Sequence, residues 1–193
     1  MSQPVIQQAK SEAEPLSAAQ DRRVKTDGDL RKLLLKKPSG ARTADELTGD
    51  DGWMDMAGYA NTYEHAGEEF VQLIESEFRR AAVTGWKSGS GSVEIRLIQY
   101  RQEENLAARG ATENNQYAAE ARPGTRILPV RGTTDGQVYV HSRPRTRPGE
   151  PPDYTAEAFA WRGDIAVEIF AWDSRPVSVA KVVDLAERQM ERL

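Results

Sequence analysis

Hydrophobic and polar residues alternate along several stretches of this chain, with the two-residue period of a half-buried strand. Val93, Ile95 and Leu97 alternate with charged residues directly after the Gly/Ser-rich turn Ser88 to Gly91. An apolar stretch from Ala81 to Lys87 precedes the same turn. Two strands joined by a short glycine-containing turn are typical of a β-hairpin. The pattern therefore predicts a hairpin here.

Helical spacing marks other segments. Phe70, Val71, Ile74 and Phe78 recur on one helical face, so we expect them to be buried. The predicted elements are, in chain order, helices at Asp29 to Leu35, Gly52 to Glu64 and Glu68 to Arg80, strands at Ala81 to Lys87 and Ser92 to Arg101, a helix at Glu103 to Ala121, strands at Arg126 to Val130, Gln137 to Ser142, Tyr154 to Trp161 and Ile165 to Trp172, and a helix from about Val177.

Two segments of the chain, one around Trp86 and one around Trp161, have similar sequences. Trp86 corresponds to Trp161, and the Val-Glu-Ile triplet that begins at Val93 corresponds to the one that begins at Val167. Each copy is predicted to consist of a strand, a tight turn, a second strand and a helix. Because an isolated hairpin is marginally stable, we expect the two hairpins to share one sheet. The predicted fold class is α+β: an antiparallel sheet built from two ββα units and covered by helices, on both faces at least in part.

Length and composition limit the classes of function. The 193 residues suit one domain at 28–193, preceded by a disordered tail or linker at 1–27 that has few apolar residues. A net charge of −4 argues against nucleic acid as a partner. The lack of cysteine excludes disulfides and thiolate chemistry. We expect a monomer with no transmembrane segment and no signal peptide in this chain.

Catalytic and metal templates find no match in the sequence. His65 lies among three glutamates, but their spacing differs from that of known metal motifs, and a solvated helix start explains them. His141 is followed by Ser142, yet the chain has no nucleophile elbow. We therefore expect no catalytic, cofactor-binding or metal-binding residues and no enzymatic activity. A hydrolase that uses His65 or His141 is the least favoured hypothesis.

The candidate partner-binding residues are Arg143, Arg145 and Arg147, which are interleaved with Pro144 and Pro148. Proline keeps such a segment extended, and guanidinium groups pair with carboxylates and other anions. The segment could therefore hold the acidic face of a partner. A solvated crossover loop is the simpler interpretation.

The candidate ligand-cleft residues are Trp86, Trp161 and Trp172. They could line a cleft between the sheet and its helices, although tryptophan on a strand is more often a core residue. Arg162, Gly163 and Asp164 spell a cell-adhesion triplet, but turn chemistry accounts for the last two residues.

The order of motifs carries a resemblance that covers about Asp27 to Leu193. A GW-containing hairpin, VEIRLIQYR, RILPVRG, QVYV, AWRGDIAVEIFAW and a terminal AERQMERL follow one another. This order resembles uncharacterised exported proteins of Streptomyces-like actinobacteria. It is more remotely similar to the PsbP-like α/β/α fold of mycobacterial cell-envelope lipoproteins and photosystem II extrinsic subunits. The resemblance implies that fold and an extracellular or cell-envelope location, with the cytoplasm as the alternative.

These observations favour a non-enzymatic binding or scaffolding module of the cell envelope or of secreted type. Its partner would be an unknown protein or envelope component. The alternative hypothesis is a carrier or sensor of a small molecule or lipid, with a cleft between sheet and helices.

Overall fold

A computed structural model describes residues 26–48, 51–103, 105–146, 148–149 and 151–193. The strands are β1 (Arg42–Thr43), β2 (Trp53–Met54), β3 (Phe78–Ser88), β4 (Gly91–Tyr100), β5 (Thr125–Pro129), β6 (Gln137–His141), β7 (Tyr154–Arg162) and β8 (Ile165–Asp173). The α-helices are α1 (Asp45–Thr48), α2 (Met56–Ala60), α3 (Ala66–Glu75), α4 (Ala107–Glu120) and α5 (Val179–Met190), and a 3-10 helix spans Leu30–Leu33.

These eight strands form one antiparallel sheet in the order β1-β3-β4-β8-β7-β6-β5, with β2 also paired to β3. The hairpins β3-β4 and β7-β8 join through β4 and β8 at the centre of the sheet. Ile95 lies directly opposite Ile169, so the two Val-Glu-Ile triplets meet in the middle. The predicted α+β class and the shared antiparallel sheet are confirmed.

The two faces of the sheet carry different cores. Val93, Ile95, Val167 and Ile169 point to one face and pack with apolar residues of α5 and the 3-10 helix. Ile98, Tyr100, Trp161 and Ala166 point to the other face and pack with residues of α2, α3 and α4. Helices therefore lie on both faces. Because α4 and α5 cover opposite faces, the repeat extends to the hairpins but not to the helices that follow them.

A buried glutamine ties the first described element to the last helix. Ser178 caps α5, where its hydroxyl accepts a hydrogen bond from the Lys181 amide. The Gln189 side chain donates from Nε2 to the Leu33 carbonyl and accepts at Oε1 from the Leu35 amide, both at 2.9 Å. These bonds satisfy backbone groups at the end of the 3-10 helix, which explains how so short an element stays docked.

The predicted buried face of α3 is wrong. Phe70, Val71 and Ile74 are 38%, 53% and 58% exposed, whereas Leu73 is buried. The helix ends at Glu75, and Phe78 belongs to β3. Since the helix stops before Phe78, that residue is anchored by the sheet, and Leu73 becomes the contact of α3 with the core.

Two other segments also differ from the prediction. The segment between Leu35 and Gly52, for which no helix or strand was predicted, contains β1 and α1, and the expected helix from Gly52 to Glu64 divides into β2 and α2. Asp55 explains the division, because its carboxylate accepts a hydrogen bond from the Gly58 amide at 2.6 Å and caps α2. Residues before this cap are extended and pair with β3.

Candidate functional site

The structure places two of the three candidate tryptophans in the core. Trp86 is 2% exposed on the α5 face of the sheet, and Trp161 is 5% exposed on the opposite face. The indole Nε1 of Trp161 donates to Asp135 Oδ2 at 2.9 Å, which satisfies its polar group internally. Both residues therefore fill space between the sheet and its helices, as tryptophan on a strand more often does, and not the candidate ligand cleft.

Trp172 occupies a different position, at the end of β8. Its ring is partly exposed and stacks on Phe170, with ring centres 5.9 Å apart and planes at 20°. It lines a cleft of about 340 Å³ together with Arg145 of the proline-rich loop. The other lining residues are Ser90, Ser92, Pro151, Pro152, Asp153, Asp173 and Ser174. A candidate arginine and a candidate tryptophan thus meet at one end of the sheet.

A backbone bridge positions Arg145 at this cleft. The Arg145 amide donates to the Asp153 carbonyl at 2.8 Å, and the Asp153 amide donates to the Arg145 carbonyl at 2.9 Å. The Arg145 side chain is exposed and forms no hydrogen bond or ion pair with another described residue. Arg143 is also exposed but does not line the cleft. Arg147 lies outside the described residues.

An aspartate at the base of the same cleft is already paired. Asp173 Oδ1 accepts hydrogen bonds from the Ser90 hydroxyl at 2.7 Å and from the Arg175 amide at 3.1 Å. Burial works to raise the pKa of Asp173, but these bonds and the Arg175 charge outweigh it and lower the pKa. Asp173 therefore fastens the β3-β4 turn to β8, whereas the exposed Arg145 side chain has no hydrogen-bond or ion-pair partner among the described residues.

The centre of the sheet holds a buried charge cluster that the sequence patterns did not reveal. Glu94 and Glu168 are 3% and 1% exposed, and both contact the guanidinium of Arg96. Glu168 Oε1 also accepts from the Tyr59 hydroxyl at 2.6 Å and from Asn115 Nδ2 at 2.8 Å. Burial raises the pKa of Glu168, although Arg96 and Tyr59 favour its charged form. Two carboxylates thus share one cation.

His141 lies in a second buried polar group. Its Nδ1 is 2.9 Å from the Thr125 hydroxyl, and its Nε2 is 3.7 Å from Glu157 Oε2. Arg122 donates to Glu157 at 2.7 Å. Burial opposes ionisation of Glu157, but His141 and Arg122 prevail and lower its pKa. Ser142 donates to a backbone carbonyl instead of pairing with His141, so the two do not form a nucleophile and base.

The other histidine lies near the start of α3. His65 lines a shallow cleft of about 330 Å³ with Glu64, Glu68 and Glu69. Within the described ranges, no group of three or more histidine, cysteine, aspartate or glutamate side chains is placed to hold a metal ion.

The adhesion triplet is the turn between β7 and β8, and its side chains are engaged internally. Arg162 donates to the Met190 carbonyl at the end of α5 at 2.6 Å. Asp164 is 1% exposed and accepts from Gln99 Nε2 at 2.7 Å. Gly163 has a φ of 56°, a conformation that glycine adopts without strain. The triplet is therefore a structural turn.

Comparison with known protein families, with curated proteins and with solved structures finds no match to this chain. Across the part of the chain that the structure describes, no helix has the length and apolar character needed to cross a membrane. The clefts and the charges that line them are therefore the features that bear on function.

Proposed function

We propose that this chain is a non-enzymatic binding module that holds an acidic segment of a partner protein between Arg145 and Trp172. One observation carries the proposal: these residues come from separate parts of the chain and line the same cleft. The resemblance to exported actinobacterial proteins supports a place in the cell envelope or outside the cell. Helices on both faces of the sheet agree with the PsbP-like arrangement that the resemblance implies.

The lining holds one arginine and two aspartates, Asp153 and Asp173, so it is the Arg145 end of the cleft that suits a carboxylate next to an apolar side chain. The guanidinium of Arg145 can form paired hydrogen bonds with a carboxylate of the ligand. Trp172, Pro151 and Pro152 offer a rigid apolar surface beside it. Aromatic and arginine side chains in such pockets commonly supply most of the binding energy of a protein interface.

The size of the cleft favours a peptide segment over a lipid. Its volume of about 340 Å³ is near the lower end of the roughly 300 to 1,000 Å³ typical of ligand pockets. It has room for one or two side chains. The alternative of a carrier with a cleft between sheet and helices is less favoured, because Trp86 and Trp161 occupy that space.

Peptide binding tests the proposal. The probe is an array of acetylated peptides that place two glutamates beside a phenylalanine, with lysine replacing glutamate in the matched array. We expect the acidic peptides to bind and to change the fluorescence of Trp172, with an affinity that falls as salt screens Arg145. Arg145→Ala and Trp172→Ala should each weaken binding by roughly tenfold or more, the loss of an interface anchor.

Arg188→Ala is the matched control, because Arg188 is an exposed arginine on α5 that pairs with Asp184 at 3.1 Å. It should keep the native affinity. Equal binding of acidic and basic peptides, or native affinity in Arg145→Ala, would contradict the proposal.

A further inference from the structure

A second cleft, of about 360 Å³, lies between α3 and α4 and shares no lining residue with the cleft of Arg145 and Trp172. Glu69 and Glu75 contribute carboxylates from α3, and Asn114 and Asn115 contribute carboxamides from α4. None of the residues that line it is a lysine or an arginine. The walls thus present acceptors and negative charge.

The two carboxylates at this cleft have no counter-ion in the described part of the chain. Neither Glu69 nor Glu75 forms a side-chain hydrogen bond or an ion pair with another described residue. Burial, and then the charge of Glu168, raise the pKa of Glu69. A cation that entered would be attracted by both carboxylates and would displace no lysine or arginine of the described residues.

The wall of the cleft connects directly to the buried charge cluster. Asn115 lines the cleft and donates to Glu168 at 2.8 Å. Tyr63 also lines it, and its hydroxyl is 2.8 Å from the Tyr59 hydroxyl that donates to Glu168. Because Glu168 shares the Arg96 guanidinium with Glu94, the cluster contributes excess negative charge behind these two side chains when both carboxylates are ionised.

We propose that this cleft binds a small organic ammonium compound of the aliphatic diamine class. The ammonium groups would pair with Glu69 and Glu75, and the ring of Tyr63 would contact one of them by a cation–π interaction. The carboxamide of Asn114 would accept a further N–H. A metal ion fits less well, since the described side chains do not gather three ligating groups of the kind that metal sites use.

Calorimetric titration of the full chain at low salt and pH 7.5 tests the proposal, with putrescine as the probe and the neutral isostere 1,4-butanediol as its control. We expect saturable one-to-one binding of putrescine and none of butanediol. Glu69→Gln should weaken putrescine binding by roughly tenfold, the size expected for one charge-assisted contact. Glu113→Gln is the matched control on α4, where Glu113 is exposed and pairs with Arg109 instead of lining the cleft.

The Glu168→Gln variant provides a second test, because it replaces no residue that lines the cleft. It removes the buried charge behind Asn115 and Tyr63, so we expect a smaller loss of putrescine affinity than Glu69→Gln gives. Absence of putrescine binding at millimolar concentration, equal binding of butanediol, or an unchanged affinity in Glu69→Gln would each overturn the proposal. Binding of acidic peptides at Arg145 is measured separately, so either proposal can fail while the other stands.

Discussion

Replacing Arg96 with methionine removes the guanidinium that Glu94 and Glu168 share, and it keeps an unbranched side chain at the centre of the sheet. The native guanidinium lies 4.8 Å from the centre of the Phe170 ring, a contact that methionine partly retains. It also donates to the Thr62 hydroxyl at 3.1 Å. The substitution therefore changes the charge of the cluster more than its packing.

The expected loss of stability is large. Removing one partner of a buried ion pair typically costs about 3 to 5 kcal/mol, because the remaining charge stays buried without compensation. Here two carboxylates lose their cation. Single domains are stable by only about 5 to 15 kcal/mol, so the Arg96→Met variant should be folded but marginal at neutral pH.

The loss should depend on pH. Burial already raises the folded-state pKa of Glu168 above the ordinary carboxyl value, and loss of the Arg96 charge would raise it further. A carboxyl group with a raised folded pKa contributes its full stability below the unfolded pKa and loses it as the pH rises through the folded pKa. The difference between Arg96→Met and the native chain should therefore be greater at pH 8 than at pH 5.

Urea unfolding followed by tryptophan fluorescence at the two pH values measures this difference. Adding Glu168→Gln to the Arg96→Met variant should recover a substantial part of the loss at pH 8. Arg109→Met is the control, because Arg109 forms an exposed pair with Glu113 and its removal should cost less than about 0.5 kcal/mol. A loss below about 1 kcal/mol, or an equal loss at both pH values, would refute the reasoning about a shared buried cation.

Two further substitutions test buried hydrogen bonds. Asp164→Ala removes the acceptor of one N–H of Gln99 Nε2 and of the Thr26 amide, while Gln99 Nε2 keeps its bond to the Thr26 carbonyl. It should cost about 1 to 3 kcal/mol, seen as a lower Tm by calorimetry; an unchanged Tm would show that the turn does not need this carboxylate. Gln189→Leu leaves the Leu35 amide without its acceptor and leaves the Leu33 carbonyl with only the Arg192 guanidinium as a side-chain donor. It should accelerate amide hydrogen exchange around the 3-10 helix more than in the central strands, whereas uniform exchange would argue against a local docking role.

The hairpins could be predicted because their signals are local. Alternation at Val93, Ile95 and Leu97, together with a glycine-containing turn, defines both the strands and the face that is buried. The repeat then indicated that the two hairpins share a sheet, and β4 pairs with β8 as that idea requires. Such alternation predicts a strand from its own residues, because the two-residue side-chain period of a strand does not depend on distant residues.

The errors arose where a distant partner decides the local structure. Each of the strands β1 and β2 has two residues and exists because β3 offers an edge to pair with. The buried face of α3 depends on where that helix ends, and a left-handed residue at Glu77, with φ of 59°, redirects the chain into β3. Neither the pairing nor the turn has a signature in the hydrophobic pattern.

The residues of the candidate site could be predicted from the sequence, but their proximity in the fold could not. Arg145 and Trp172 could each be selected from the sequence, but the backbone bridge between Arg145 and Asp153 brings them to one cleft. The buried carboxylates of Glu94 and Glu168 could not be predicted from the sequence pattern. Charged residues that alternate with apolar ones normally face solvent, whereas here α2 and α4 supply Tyr59 and Asn115, both of which contact Glu168.

The quasi-symmetry of the two hairpins explains why charge accumulates at this point of the sheet. Because Ile95 pairs with its own counterpart, Ile169, the two repeated glutamates lie on the same face at equivalent distances from that pair. The residue that corresponds to Arg96 in the second hairpin is Phe170, and the two contact each other.

The repeat therefore duplicates the carboxylate but not the cation. Phe170 in turn stacks on Trp172, which lines the cleft with Arg145. Glu168 contacts Asn115, which lines the cleft between α3 and α4. Both proposed binding sites consequently draw on side chains of the sheet face that α4 covers. The apolar face beneath α5 supplies the packing that holds the sheet in place.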